Sequence, residues 1–235
     1  MATVVLVRHA RSTANASGLL TGRLKGVHLD DTGRGQAERA ARRLSSVPLA
    51  AIVSSPLERC RETAKALVGE QAAPPKVVSE RGLVECDYGA WQGRALKDLA
   101  KEKLWKVVQQ HPASVTFPDG ESMAAMSSRA VAAIRRHDAE VEAAHGPNAV
   151  WAAVTHGDLV KAILADALGL HLDQFQRLHV DPASMSVVRY AAGASYVLTS
   201  NSHEGDLGWL APKGGKKAPA TGVVGGGAGP AGKGH

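Results

Sequence analysis

Cysteine is nearly missing from this 235-residue chain: Cys60 and Cys86 are the only two, and they form no C-x-x-C pair. Their scarcity excludes a disulfide scaffold and a cysteine-rich zinc site, and makes free thiols in a reducing compartment the expectation. Long apolar runs are missing too, since nothing approaches the roughly 18 residues of a membrane span. The apolar run Thr3 to Val7 is cut short by Arg8 and His9. It therefore lacks the centre of a signal peptide, even with Ala14-Asn15-Ala16 downstream. A cytoplasmic location without membrane contact is expected. His28, His111, His137, His145, His171, His179 and His203 show no ligand spacing, so no metal and no cofactor are expected.

Residues 211–235 lack acids altogether but hold Lys213, Lys216, Lys217 and Lys233, four of the charges behind the net +6. Upstream the chain is nearly balanced, which argues against a nucleic-acid partner for the folded part; a cationic tail would touch polyanions only weakly. The same segment carries nine of the 25 glycines, a composition that reads as a flexible appendage. Gly227 to Lys233 spells the start of a phosphate-binding loop. Gly234 stands where a magnesium-binding Ser or Thr is required, and neither strand nor helix flanks it, so that reading is set aside.

What is present is an ordinary globular composition, 44% hydrophobic and 21% charged, with length for one substantial core over residues 1–210. Thr3 to Val7 reads as a buried parallel strand. Asp31 and Thr32 offer caps for a helix to about Ser45, in which Ala37, Ala40, Ala41 and Leu44 recur at helical spacing. Leu49 to Val53 reads as a second strand, Ser54-Ser55-Pro56 as a turn and Leu57 to Val68 as a second helix. A weaker strand at Lys76 to Ser79 precedes an irregular Gly82 to Gly93. Helices over 95–111 and 121–145 flank a loop from Pro112 to Gly120 and suggest a small helical cap, about residues 94–148. Ala149 to Val154 reads as a strand followed by Thr155-His156-Gly157-Asp158 and a helix ending at Gly169. Ser186 to Tyr190 and Ser195 to Thr199 suggest a hairpin. Alternating strands and helices imply an α/β class, a three-layer α/β/α sandwich with a mostly parallel sheet, which collects ligands beyond the carboxyl ends of its strands.

Arg8, His9 and His156 follow such ends. Guanidinium groups give forked, permanently charged donors to phosphate oxygens, and Arg8 and Arg59 are placed to supply them. An imidazole beside two arginines is pushed toward its neutral form, which frees a nitrogen lone pair to attack phosphorus. His9 is the candidate.

The run Leu6-Val7-Arg8-His9-Ala10-Arg11-Ser12-Thr13-Ala14-Asn15 resembles the R-H-G signature of the histidine phosphatase superfamily, the phosphoglycerate-mutase-like branch 1. Further blocks follow in the family's order. They are Thr21-Gly22-Arg23 with Leu29 to Ala37, Ser54 to Ala64 around Arg59, Glu85 with Tyr88 to Gly93, Phe117 to Ser122, and Val154-Thr155-His156-Gly157. The resemblance spans roughly residues 3 to 200. It implies His9 as nucleophile, His156 as electrostatic partner of the phosphoryl group, and Arg8 and Arg59 as its clamp. Glu85 would give a proton to the leaving group and then activate water. Asn15 and the backbone of Gly157 would add hydrogen bonds to phosphate, and Ser12, Thr21 and Gly22 would line the substrate side. Trp91, on the same loop, reads as packing the cap rather than stacking on substrate.

The chain departs from the family in two ways. Ala10 replaces a glycine, which tightens the surroundings of His9. The lysine and adjacent arginine pair with which glycolytic mutases hold a second anion have no counterpart: Arg94, Lys97, Lys101, Lys103 and Lys106 include no such pair, and Arg135-Arg136 falls inside a predicted helix. The expectation is a metal-independent phosphomonoester hydrolase that acts through a phosphohistidine on a small phosphorylated metabolite. A phosphomutase of the phosphoglycerate mutase type is the alternative, and an inactive phospho-ligand-binding protein is a third reading. Substrate identity and oligomeric state, a homodimer included, stay open.

Overall fold

The computed structural model describes residues 2–191, 193–203 and 225. Six strands, β1 (Thr3–Arg8), β2 (Ala51–Ser54), β3 (Val77–Ser79), β4 (Val150–Thr155), β5 (Met185–Ala191) and β6 (Ala194–Ser202), form one sheet in the order β3-β2-β4-β1-β5-β6. The first four are mutually parallel; β5 runs antiparallel to β1, and β6 to β5. The mostly parallel sheet is therefore borne out.

Alternation along the strands builds two cores. Val4 and Leu6 of β1, with Trp151 and Ala153 of β4, face a layer made by α6 (Met123–His145) and α7 (Gly157–Ala167). Val5 and Val7, with Ile52, Ala152 and Val154, face α2 (Asp31–Leu44) and α3 (Glu58–Gly69). Side chains on both faces are buried, which is why these strands read as continuous apolar runs. The three-layer sandwich follows. β3, exposed along its length, closes one edge.

Local boundaries differ from the sequence reading for identifiable reasons. The N-cap of α2 is Asp30, whose Oδ1 accepts from Gly33 N at 2.7 Å, not Asp31 or Thr32. The helix expected over 95–111 is broken into α4 (Leu96–Leu99) and α5 (Lys103–Gln110), and a further short helix, α1 (Thr13–Ser17), follows β1. Within the stretch expected as a cap, Met123, Met126, Ala130 and Ile134 of α6 share the hydrophobic cluster of β4 and α7. Of the tail 211–235, all but Gly225 lies outside the described residues, as does Gly227 to Lys233.

Trp151 is the largest fully buried side chain among the described residues, and its Nε1 donates to Asp138 Oδ1 at 2.9 Å. Trp151→Ala should cost about 4 kcal/mol, read as a lower urea midpoint at constant slope; a loss below about 1 kcal/mol would contradict this account of the core.

Candidate active site

Strand register assembles the site. β4 lies between β1 and β2, with Arg8 opposite Thr155 and Ser54 opposite Val154. The residues that follow, His9, His156 and Ser55, thus leave the sheet side by side; His9 N bonds Thr155 O at 2.8 Å and Ser55 N bonds Val154 O at 3.0 Å. The two imidazole centroids are 5.2 Å apart at an interplanar angle of 65°.

Hydrogen bonds assign the tautomers. His9 Nδ1 faces the carbonyl of Ala10 at 2.8 Å. A carbonyl only accepts, so Nδ1 carries the proton and Nε2 the lone pair. Arg59 approaches that lone pair with Nε at 3.3 Å and reaches His156 Nδ1 with Nη2 at 3.1 Å. His156 Nε2 then donates to Ser55 Oγ at 2.9 Å. Both rings are pushed well below the ordinary histidine range, by burial first and the Arg59 charge second. Arg8 is brought down to about 10 by burial and stays cationic at neutral pH. Its Nη1 donates to Val180 O at 2.8 Å.

Arg59 is aimed by its surroundings. It sits in the first turn of α3, where its carbonyl accepts from Thr63 Oγ1 at 2.8 Å, and that oxygen accepts from Ala10 N at 3.1 Å. Its Nη2 also donates to Gly22 O at 2.8 Å. Nη1 is buried and finds no hydrogen-bond partner among the described residues, a donor left for a ligand. Gly22 has φ +51°, and a Cβ there would come within 2.4 Å of Gln92 Oε1 and 2.9 Å of Tyr88 Cδ2. Only glycine lets the carbonyl meet the guanidinium.

Glu85 is 4% exposed, with Oε1 accepting from Cys86 N at 2.9 Å and Oε2 3.9 Å from His156 Nδ1. Burial, then the charge of Asp158, raises its carboxyl to about 7. The loop is braced from behind by Arg129, which donates to the carbonyls of Gly82, Val84 and Glu85 and pairs with Glu121 at 2.5 Å. Glu121 also holds Arg23 at 2.9 Å and accepts from Asp87 N.

His9, Glu85, Arg59, Ser12, Asn15, Thr21 and Gly22 line one cavity of about 140 Å³. Ser12 and Asn15 are partly committed to each other: they form the capping box of α1, with Ser12 Oγ donating to Asn15 Oδ1 at 2.9 Å. Gly157 begins α7 directly behind His156 and is not among the cavity's lining residues. Trp91 is buried against Trp105 and Phe117, away from the cavity.

Sequence reading missed Ser55, Tyr88, Asp158 and Gly225. Asp158 is fully buried at the start of α7, where its Oδ2 accepts from Tyr88 Oη at 2.7 Å and its Oδ1 lies 3.7 Å from Lys161 Nζ. An acid directly after a His-Gly pair was the available signal. Cys60 Sγ lies 3.4 Å from His156 Nε2, but burial drives its thiol up to about 12 and both cysteines are free. They are inert at neutral pH. Among the described residues there is no cluster of His, Cys, Asp or Glu able to hold a metal.

A family model of the histidine phosphatase superfamily (branch 1) matches residues 4–203. Phosphoserine phosphatase 1 of Hydrogenobacter thermophilus is 31% identical over 204 residues, covering 86% of this chain and 92% of that protein. The Yersinia enterocolitica protein named "Probable phosphoglycerate mutase GpmB" is 32% identical over 192 residues, covering 81% and 86%. Among solved structures, a mycobacterial glucosyl-3-phosphoglycerate phosphatase in complex with VO3 superposes with a TM-score of 0.76 at 25% identity, covering 85% of this chain and 99% of that one.

Asp158→Asn should lower the titration midpoint of Glu85 from about 7, because one of the two causes raising it is removed while burial stays. Carboxyl carbon NMR reads the shift; an unmoved midpoint would show that Asp158 does not act on Glu85.

Proposed function

The chain belongs to the histidine phosphatase superfamily (branch 1), and from that premise we propose that it is a metal-independent phosphomonoester hydrolase acting through a phosphohistidine. The observation that carries the reading is the pair of neutral imidazoles on either side of one buried guanidinium, with a protonatable carboxyl within reach. His9 Nε2 attacks phosphorus in line while the bond to the leaving oxygen breaks, and Glu85 gives that oxygen its proton. The carboxylate so formed takes a proton from water as the water oxygen attacks phosphorus, which returns His9 to its starting state. Arg59 and Arg8 balance the charge on the equatorial oxygens, and His156 lies beside the same group as its electrostatic partner. Asn15 and the N-terminus of α7 at Gly157 would add donors, and Ser12, Thr21 and Gly22 would face the substrate.

A hydrolase is favoured over a mutase by the rest of the cavity. Besides Arg59, no lysine or arginine is among its described lining residues, so the lysine and adjacent arginine pair of the glycolytic mutases has no counterpart there. Arg94 is paired with Glu102 at 2.5 Å and Lys101 with Asp98 at 3.0 Å, while Arg135 is paired with Asp166 at 2.7 Å and Arg136 with Glu80. Phosphoserine phosphatase 1 and the glucosyl-3-phosphoglycerate phosphatase support a small phosphorylated metabolite as substrate. The buried free thiols fit a reducing, cytoplasmic setting.

His9→Ala should abolish hydrolysis of p-nitrophenyl phosphate, and EDTA should leave the native rate unchanged; chelator-sensitive turnover that persists in the variant would sink the mechanism. Rate against pH offers a second check. Glu85 must start protonated and titrates at about 7, so kcat/KM should fall as pH rises through that value. His9 must be neutral and titrates well below 6.5, so the acid limb should lie below 6.5. Glu85→Gln should flatten the alkaline limb at a much lower rate; an alkaline limb that stays in place would assign it to another group.

A further inference from the structure

Glu85 can protonate a leaving group only if the oxygen that bears its proton is turned toward the reacting centre, and the peptide unit between Glu85 and Cys86 governs which oxygen that is. Cys86 N donates to Glu85 Oε1 at 2.9 Å, so Oε1 serves as the acceptor and Oε2 is left to carry the proton of the neutral carboxyl. Oε2 is the oxygen on the side of His156, 3.9 Å from its Nδ1. The aim of the acid is therefore only as well fixed as its own peptide plane.

That plane is held at its other end. The Glu85 carbonyl accepts from two guanidinium groups, Arg23 Nε at 3.0 Å and Arg129 Nη2 at 3.1 Å, which engages both lone pairs of the oxygen with charged donors. Glu121 ties the two cations together: its Oε1 accepts from Arg23 Nη2 at 2.9 Å, from Arg129 Nη2 at 2.5 Å and from Asp87 N at 2.9 Å. Asp87 Oδ2 lies 3.4 Å from Arg23 Nη1. Two acids thus balance two cations around one carbonyl.

Arg23 differs from Arg129 in what its main chain does. Its N–H donates to Gln92 Oε1 at 2.5 Å, and the carbonyl just before it, that of Gly22, accepts from Arg59 Nη2 at 2.8 Å. One dipeptide therefore holds the phosphate-binding guanidinium through its backbone and the carbonyl of the acid through its side chain. Arg23 itself is not one of the described residues lining the cavity, and its side chain is 35% exposed, so it acts from outside.

We propose that Arg23 is a positioning residue for the acid step: it fixes the Glu85–Cys86 peptide and thereby aims Oε2 at the leaving oxygen. The proposal rests on the phosphatase reading above and adds what sets the direction of its proton donor.

The test uses the full-length chain and compares two leaving groups. p-Nitrophenolate departs with little help from an acid, whereas phenolate, a stronger base, needs the proton. The quantity read is kcat/KM, which is set before the phosphohistidine is hydrolysed. In Arg23→Met it should fall about tenfold for phenyl phosphate, a part of the roughly 10²–10⁴-fold that general acid catalysis supplies, and less than about threefold for p-nitrophenyl phosphate. The inhibition constant of inorganic phosphate should stay within about twofold, because Gly22 still meets Arg59 through the backbone. Arg23→Lys keeps the charge but cannot span the carbonyl and both carboxylates, so it should recover part of the phenyl phosphate loss. Should the melting transition show that Arg23→Met does not fold, Arg23→Lys carries the test and must still lose more on phenyl than on p-nitrophenyl phosphate. Equal losses on the two esters in a folded variant, a matching loss of phosphate inhibition, or no loss on either ester would overturn the proposal and leave the hydrolase reading standing. A native chain that hydrolyses neither ester would overturn both.

Discussion

The guanidinium of Arg59 is the part on which the rest of the site depends. It donates to a ring nitrogen of each imidazole and to the carbonyl of Gly22. A permanent cation that close favours neutral rings and leaves lone pairs where protons would otherwise sit. The same charge is the countercharge a phosphate dianion needs. One buried group thus keeps the histidines neutral and offers attraction to the ligand, which is why it is fixed from several sides through Thr63, Ala10 and Gly22. Burying it has a cost: charges removed from water are stabilising only when well paired, and Arg59 Nη1 is left without a hydrogen-bond partner among the described residues. The arrangement favours ligand capture over stability.

A second buried charge works in the opposite sense. Asp158 and the apolar surroundings hold Glu85 protonated to about neutral pH, so a carboxyl and an unprotonated imidazole coexist at the same pH, the combination that acid–base chemistry on an ester requires. The loop bearing Glu85 has no regular strand or helix to stiffen it, and the carbonyls of Gly82, Val84 and Glu85 are gathered instead by Arg129 under Glu121.

Much of this was legible in the sequence, and what was legible had a local cause. β1 and β4 are buried on both faces and read as apolar runs that stop at Arg8-His9 and at His156, so a shared crevice followed from the topology. Arg59 came from its place after a turn and from the blocks in family order, Glu85 from those blocks alone. The remainder depends on contacts between segments far apart in the chain. Ser55 read as a turn residue because its bond to His156 spans 101 positions. Asp158 sits in the first turn of α7, where dipole preference makes acids common, and nothing nearby in sequence indicates Tyr88 above it. The tail was read from composition alone, and composition cannot show that a single peptide unit at Gly225 finds partners in the crevice. The cap of α2 was off by one because Asp30, Asp31 and Thr32 are all competent caps.

The pairing of Arg8 with Thr155 has a further bearing on how such a site changes over generations. A strand advances in steps of about 3.3 Å, and each step turns side chains to the other face. The separation of the two imidazoles is therefore quantised: no small drift of β1 along β4 can widen or narrow it, and a single-residue slip destroys it. Change that spares the reacting pair is thereby confined to the loops, where an insertion leaves the register of β1 on β4 untouched.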